Sequence, residues 1–237
     1  MQLDITDLNT YYGESHALQD LSLNVDEGEV VALLGRNGMG KSTTLKSIMG
    51  LLRPRSGKVV FCGQDITGWS PHKVAKTGIG YVPEERHIFP RLTVLDNLMM
   101  GAKKGTDDAS GPKAWTLERI YEHFPIMKER ARQKGGLLSG GEQQMLTIGR
   151  TLMGNPKLLM VDEPTEGLSP IMVKEVRDIL EEIAKAGTSI LLVEHNFQMA
   201  MSLAKRVFVM GKGHIGFSGT SQELETNPEI ITTYLQV

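Results

Sequence analysis

The sequence of 237 residues predicts an α/β fold with a mostly parallel central sheet, an antiparallel β layer at the start and a helical insert in the middle. The final third supports the parallel sheet. There the short apolar runs "LLMVDE", "SILLVEH" and "RVFVM" alternate with the longer stretches "SPIMVKEVRDILEEIAKA" and "FQMAMSLAKR". Strands that are buried on both faces are continuously apolar. Strand–helix–strand alternation joins such strands in parallel through right-handed crossovers.

The beginning of the chain predicts the antiparallel layer. Up to about Gly63, turns separate the β-rich runs "LDITDLNTYY", "LSLNV", "EVVALLG" and "KVVFCG". Between the last two runs, "KSTTLKSIMGLL" is expected to form a helix that begins directly after a glycine-rich turn. A strand, a tight turn and a helix are therefore predicted in immediate succession.

The middle of the chain predicts the helical insert. The segments "TVLDNLMMGA", "LERIYEHFPIMKERARQ" and "GGEQQMLTIGRTLM" have helical apolar spacing, and a polar loop is expected at Gly105–Gly111. We expect a single domain over residues 1–237, with a core of residues 1–84 and 155–237 and a helical subdomain of residues 85–154.

Composition makes some functions less expected and leads us to expect a cytoplasmic protein. The formal charge of −2 gives no general attraction to nucleic acid, so none is expected as a partner. No apolar stretch reaches the roughly 18 residues of a membrane span, and the acidic start shows no signal peptide. The single cysteine, Cys62, fits a reducing compartment, and we expect it to pack as a small hydrophobic residue.

The segment "GRNGMGKST" matches the phosphate-loop (Walker A) pattern G-x-x-x-x-G-K-[ST] in full, between an apolar run and a helix. We expect its backbone N–H groups to surround phosphates, Lys41 to reach the β- and γ-phosphates, and Ser42 to bind Mg²⁺ as well. A plain glycine turn is the alternative. The predicted nucleotide-binding residues of the loop are Gly35, Asn37, Gly38, Gly40, Lys41, Ser42 and Thr43.

Acidic and aromatic residues complete the predicted site. In "LLMVDEP", Asp162 is expected to hold Mg²⁺ and Glu163 to polarise the attacking water. His195 follows "SILLVE" at the edge where parallel sheets bind ligands, and it is predicted to contact the γ-phosphate, although a lone histidine can be purely structural. Tyr12 is expected to stack on a purine base, or else to be a half-buried strand aromatic.

A second anion site is predicted in "LLSGGEQQML". Ser139 and Glu142 have the spacing of a capping box, which marks the start of a helix. Gly140 and Gly141 occupy the first turn, where backbone N–H groups have no partner within the helix and side chains would block access. These groups and the positive end of the helix dipole favour an anion.

Taken in order, the phosphate loop, "LSGGEQQ", "LLMVDEP" and "VEH" resemble the ATP-binding cassette (ABC) ATPases across almost the whole chain. The resemblance implies a P-loop NTPase that hydrolyses ATP with Mg²⁺ and works in head-to-tail pairs. In such pairs the signature helix of one subunit covers the γ-phosphate held by the other, so Ser139, Gly140 and Gly141 would serve the partner's ATP. Most of these ATPases have Gln where this chain has Glu84. Glu84 is expected to bind Mg²⁺, or else to point into solvent and only shape the turn after Pro83.

The segments "GYVPEERHIFPRLTVLDNL" and "DEPTEGLSP" look most like the second ATPase of bacterial branched-chain (hydrophobic) amino-acid importers. That resemblance implies a peripheral protein at the cytoplasmic face of the bacterial inner membrane. The implied partners are a second copy or a sister ATPase, integral membrane permease subunits and, indirectly, a secreted solute-binding protein. An ATPase for lipid or lipopolysaccharide export and a soluble, non-transport ABC protein are the alternatives.

Overall fold

Two β sheets form the frame of the fold in the computed structural model, which describes residues 1–102 and 114–235. The loop predicted at 105–111 lies outside the described residues. The strands are β1 (Leu3–Tyr12), β2 (Ser15–Val25), β3 (Val30–Leu34), β4 (Ser56–Phe61), β5 (Gln64–Asp65), β6 (Ile79–Val82), β7 (Leu158–Asp162), β8 (Ser189–Glu194), β9 (Arg206–Gly211) and β10 (His214–Thr220).

Helices connect most of these strands. They are α1 (Lys41–Ile48), α2 (Pro71–Lys76), α3 (Val94–Gly101), α4 (Leu117–His123), α5 (Pro125–Glu129), α6 (Gly140–Leu152), α7 (Pro170–Lys185), α8 (Phe197–Leu203), α9 (Ser221–Glu225) and α10 (Pro228–Tyr234). Among the described residues, no helix is both long and apolar enough to cross a membrane.

The first sheet is antiparallel, as the sequence predicts. Its strand order is β2-β1-β4-β5, and β1 pairs antiparallel with both β2 and β4. Along β1, Leu3, Ile5 and Leu8 are buried while residues between them are partly or fully exposed, which is the pattern of a strand with one face on the core.

The second sheet has the order β10-β9-β3-β8-β7-β6. Neighbouring strands from β9 to β6 run parallel, and β10 returns antiparallel to β9. Every residue of β7 and β8 is buried, which explains their continuous apolar sequences. Because parallel strands end at the same edge, the residues that follow β3, β7 and β8 meet there.

The helices differ from the sequence prediction in one informative place. The segment 117–133, predicted as one helix, forms the two short helices α4 and α5, which meet at Phe124. Pro125 begins the second helix, since proline has no N–H to donate and fits best in the first turn. Helices α3 and α6 lie where apolar spacing predicts them.

The burial predicted for Cys62 is wrong. Its side chain is exposed, and its backbone has a left-handed φ of 49°. The apolar run ends at Phe61, which is buried, and the chain then turns into β5. Cys62 therefore belongs to the turn and not to the core.

The central sheet is covered on both faces. One face packs on the antiparallel layer, through side chains such as Leu33 and Met160. The opposite face packs on α3 and α6, where Leu98 and Leu146 share a core cluster with Val161 of β7. Helices of the segment between β6 and β7 are therefore held against the same strands that carry the predicted acidic residues.

Candidate functional site

The phosphate-loop segment connects β3 directly to α1. Gly40 is the N-cap of α1, with a left-handed φ of 107°, and no side chain caps the first N–H groups of the helix. A Cβ at Gly40 would lie 2.7 Å from Met210 Cε and 3.0 Å from Leu18 Cδ2, so only glycine fits. The helix start is thus a turn of bare backbone whose first N–H groups can bind an anion.

Lys41 joins the loop to the predicted catalytic carboxylate. Its Nζ donates to the carbonyl oxygens of Gly35 at 2.8 Å and Arg36 at 3.1 Å. The same Nζ lies 3.0 Å from Glu163 Oε1 in an ion pair whose side chains are only 3% and 8% exposed. The ammonium group of Lys41 therefore contacts the loop carbonyls and Glu163 at the same time.

Asp162 is the last residue of β7 and is almost fully buried. Ser42 Oγ donates to its Oδ1 at 3.0 Å, and Tyr81 OH donates to its Oδ2 at 3.2 Å. Burial raises the pKa of Asp162 to about 6, helped by the charges of Glu163 and Glu84 and opposed by the two hydrogen bonds. Burial and the Asp162 charge also raise the pKa of Tyr81.

The donor set around Asp162 fits Mg²⁺. A carboxylate and a serine hydroxyl are hard oxygen ligands of the type that this ion prefers. A buried carboxylate whose pKa is raised is also one that a cation would return to its charged form. The two predicted ligands Ser42 and Asp162 are already in contact.

Glu84 lies close to the same groups. A cavity of about 280 Å³ is lined by Asn37, Gly38, Gly40, Lys41, Ser42, Thr43, Glu84 and Glu163. Glu84 is exposed and follows β6 by two residues, so it reaches this cavity from the neighbouring strand. That it binds Mg²⁺ stays a prediction.

His195 directly follows β8 and contacts the catalytic carboxylate. Its Nδ1 lies 3.0 Å from Glu163 Oε2, while its Nε2 lies 3.3 Å from Glu166 Oε2. Glu163 itself has a left-handed φ of 42°, a strained backbone that typically occurs at functional sites. Lys41, Glu163 and His195 therefore form one continuous chain of polar contacts.

The capping box of "LSGGEQQ" is confirmed at the start of α6. Ser139 Oγ accepts from Glu142 N at 3.3 Å, and Ser139 N donates to Glu142 Oε2 at 2.7 Å. The two glycines in the first turn of α6, however, have different neighbours. A Cβ at Gly140 would lie 2.7 Å from Arg86 Nη1, whereas a Cβ at Gly141 would lie 2.4 Å from Met172 Cε.

Gly141 therefore also allows the close packing of α6 against α7, and its place in an anion site stays a prediction. Gly140 is partly exposed and Ser139 is exposed. Among the described residues, those that line the phosphate-loop cavity include none of positions 139–141. Within one chain the two predicted anion sites do not share a cavity.

Tyr12 is 48% exposed at the end of β1 and does not stack on any described ring. Its neighbour Tyr11 makes the packed aromatic contact, with its ring 4.1 Å from that of His16. The hairpin that carries Tyr12 lies beside the phosphate loop, because a Cβ at Gly40 would be 3.1 Å from Ala17 O on the returning strand. An exposed ring on this hairpin is available for the predicted base contact.

Three residues of this site are not among those predicted from the sequence. Tyr81 binds Asp162, Glu166 reaches His195, and Arg86 Nη2 donates to Glu166 O at 3.2 Å. Tyr81 and Glu166 lie three residues from predicted site residues, which is the only sequence signal they offer. Arg86 also lies against the start of α6, since its Nη1 would be 2.7 Å from a Cβ at Gly140.

A family model for ABC transporters matches residues 18–166. The chain belongs to the ABC transporter family. It is accordingly a transport ATPase that binds and hydrolyses ATP, which confirms the family predicted from its motifs. The match spans the phosphate loop, the capping box of α6 and the acidic pair at the end of β7.

Two relatives in this family are similar over nearly the whole chain. A high-affinity branched-chain amino acid transport ATP-binding protein of Pseudomonas aeruginosa is 41% identical over 233 residues, 98% of this chain and 99% of that protein. A lipopolysaccharide export system ATP-binding protein of Haemophilus influenzae is 35% identical over 224 residues, 94% of this chain and 92% of that protein. The higher identity favours the amino-acid transport hypothesis over export.

Solved structures confirm the ABC ATPase fold. A nucleotide-free ATP-binding cassette from an ABC transporter superposes with a TM-score of 0.82 at 27% identity, covering 97% of each chain. A dimeric cassette in a post-hydrolysis state bound to ADP and Pi superposes with a TM-score of 0.77 at 27% identity, covering 92% of this chain and 98% of that one.

Proposed function

We propose that the chain is the ATPase subunit of an importer for branched-chain or other hydrophobic amino acids, at the cytoplasmic face of a bacterial inner membrane. The observation that supports this most is the contact chain from Lys41 through Glu163 to His195, beside the Ser42–Asp162 pair. The 41% identity to a branched-chain amino acid transport protein supports the solute class.

In the proposed reaction, ATP lies over the phosphate loop, and its β- and γ-phosphates compete with Glu163 for the ammonium of Lys41. Glu163, released from that ion pair, accepts a proton from a water molecule, whose oxygen attacks the γ-phosphorus. The bond from this phosphorus to the β–γ bridging oxygen breaks, and ADP and phosphate result. His195 holds Glu163 in place through Nδ1, and the edge of its ring would contact the γ-phosphate.

Mg²⁺ would be held by Ser42, Asp162 and Glu84, and it would neutralise charge on the phosphate oxygens. Tyr81 fixes the second oxygen of Asp162, so that Oδ1 stays beside Ser42. Tyr12 would stack on the base from the neighbouring hairpin.

We further propose that Ser139, Gly140 and Gly141 at the start of α6 serve the ATP of a partner subunit, either a second copy or a sister ATPase. The separation of this helix start from the phosphate-loop cavity of its own chain supports a site completed across an interface. The similarity to a dimeric cassette is consistent with it.

The organisation of the chain follows from the same proposal. Residues 1–237 would act as one domain, in which residues 85–154 form the helical subdomain on a core of residues 1–84 and 155–237. An apolar groove of about 420 Å³ lies between these parts, with Leu51, Phe89 and Met100 exposed along it. This groove would receive a segment of the integral membrane permease, while a secreted solute-binding protein would deliver the amino acid to that permease.

The variant Glu163→Gln tests the proposed reaction. The amide keeps the shape and can still accept from Lys41, but it cannot take a proton from water. We expect ATP binding to persist, turnover to stop and an ATP-bound dimer to accumulate, as followed by phosphate release and light scattering. Turnover at the wild-type rate would contradict the assignment, and an unchanged melting temperature would control for folding.

A further inference from the structure

The imidazole of His195 lies between two carboxylates. Glu163 Oε2 is 3.0 Å from Nδ1, and Glu166 Oε2 is 3.3 Å from Nε2. Glu163 is buried, whereas the Glu166 side chain is about half exposed and His195 is 39% exposed. Both ring nitrogens are therefore engaged, one on the buried side and one on the solvent side.

A tight turn brings Glu166 over the catalytic carboxylate. Glu166 N donates to Glu163 O at 3.2 Å, and the chain then passes through Gly167, whose φ is 65°. The hydrogen bond from Arg86 Nη2 to Glu166 O, at 3.2 Å, holds the same turn from outside. The position of Glu166 is thus set by backbone contacts that do not depend on its own side chain.

The contacts at Nδ1 and Nε2 together restrict the rotation of the His195 ring more than either contact alone. With only the Nδ1 contact, the imidazole could rotate about the line to Glu163 and move its face away from the phosphates. The second contact at Nε2, on the opposite side of the ring, removes that rotation. A cation shared by Glu163, Glu166 and His195 is a weaker explanation of the cluster, because Lys41 already lies 3.0 Å from Glu163.

We infer that Glu166 is a positioning residue for ATP hydrolysis, which acts by holding His195 in the orientation that its contact with Glu163 requires. The inference rests on the proposed function, since it assigns His195 and Glu163 to the reaction. Glu166 itself does not line the phosphate-loop cavity. Its removal should therefore slow turnover without weakening nucleotide binding.

The test compares Glu166→Ala, Glu166→Gln, His195→Ala and the double variant Glu166→Ala/His195→Ala. Single-turnover hydrolysis and ATP affinity are measured separately. We expect Glu166→Ala to lower the hydrolysis rate about tenfold with ATP affinity changed less than about twofold. Glu166→Gln should recover most of the rate, because its side chain has the same shape and its amide can hydrogen-bond with Nε2 as donor or acceptor.

The double variant separates positioning from a general structural role. If Glu166 acts through His195, adding Glu166→Ala to His195→Ala should change the rate by less than about twofold. Glu175→Ala, an exposed carboxylate on α7, is the matched control and should keep the wild-type rate.

An unchanged rate in Glu166→Ala would overturn the inference, and so would a full tenfold loss in the His195→Ala background. A loss of ATP affinity in Glu166→Ala would also overturn it. A failure of the proposed function would give a different result, because Glu163→Gln would then hydrolyse ATP at the wild-type rate. In that case the positioning role of Glu166 would be contradicted as well.

Discussion

The variant Asp162→Asn should stabilise the protein at neutral pH, although it removes a predicted Mg²⁺ ligand. Burial, with the charges of Glu163 and Glu84, raises the pKa of Asp162 from its ordinary 3.8 to about 6. The folded protein therefore binds this proton more tightly than the unfolded chain does. The contribution of Asp162 to stability is complete below about pH 4 and is lost as the pH rises through about 6.

The magnitude follows from this difference in pKa. A rise from 3.8 to about 6 corresponds to a cost of about 3 kcal/mol at pH 7.5, since each pKa unit is worth roughly 1.4 kcal/mol. An asparagine carries no charge, so this cost disappears. Its single amide oxygen cannot replace both acceptors used by Ser42 and Tyr81, and the lost hydrogen bond costs about 1 kcal/mol. The net gain should be about 2 kcal/mol.

Urea unfolding in EDTA, at pH 7.5 and at pH 4, measures the effect. The variant should be more stable by about 2 kcal/mol at pH 7.5, and the difference should vanish or reverse at pH 4, close to the ordinary pKa of 3.8, where the folded and the unfolded wild-type protein both bind much of this proton. Asp4→Asn on β1 is a control that should change stability by less than about 0.5 kcal/mol at either pH. A less stable Asp162→Asn at pH 7.5, or a gain that does not depend on pH, would refute the reasoning.

Two further predictions concern the edges of the site. Glu84→Gln should bind ATP more tightly than wild type in EDTA, because a charge facing the triphosphate is removed, and titration calorimetry should show this advantage shrink or reverse with saturating Mg²⁺. Equal affinities under both conditions would remove Glu84 from the metal site. Phe89→Asp should leave the isolated subunit folded and able to bind ATP, but it should abolish co-purification with the permease, while Phe89→Leu should retain it. Wild-type recovery of the complex with Phe89→Asp would contradict the docking role.

Those parts of the fold that depend on local sequence could be predicted from it. The turn from β3 to α1 follows from glycines at positions that allow backbone access, and the start of α6 follows from the spacing of Ser139 and Glu142. The parallel sheet follows from continuously apolar runs such as those of β7 and β8. Each of these signals lies within a few neighbouring residues.

Contacts between distant segments could not be predicted in the same way. Arg86 and Glu166 are 80 positions apart, and their hydrogen bond depends on how β6 and β7 lie side by side. Nothing near Gly141 in the sequence indicates that its missing side chain makes room for Met172 of α7. The short strand β6 was missed because its four residues include a glycine, which weakens strand propensity.

The central claim is that each ATP site combines the phosphate loop of one subunit with the start of α6 of another. Lys41→Ala should lose nucleotide affinity, because it removes the ammonium of the loop. Gly140→Asp should bind ATP but lose turnover, because its carboxylate would repel the partner's γ-phosphate. Each variant alone should therefore be inactive.

Mixing these two inactive variants tests the claim most directly. A head-to-tail pair of one Lys41→Ala and one Gly140→Asp subunit has one site with both defects and one site with neither. We predict that ATP hydrolysis reappears on mixing, at up to about a quarter of the wild-type rate per subunit if pairing is random and sites act independently. If every subunit instead completed its own site, the mixture would stay as inactive as its components, and that result would contradict the account.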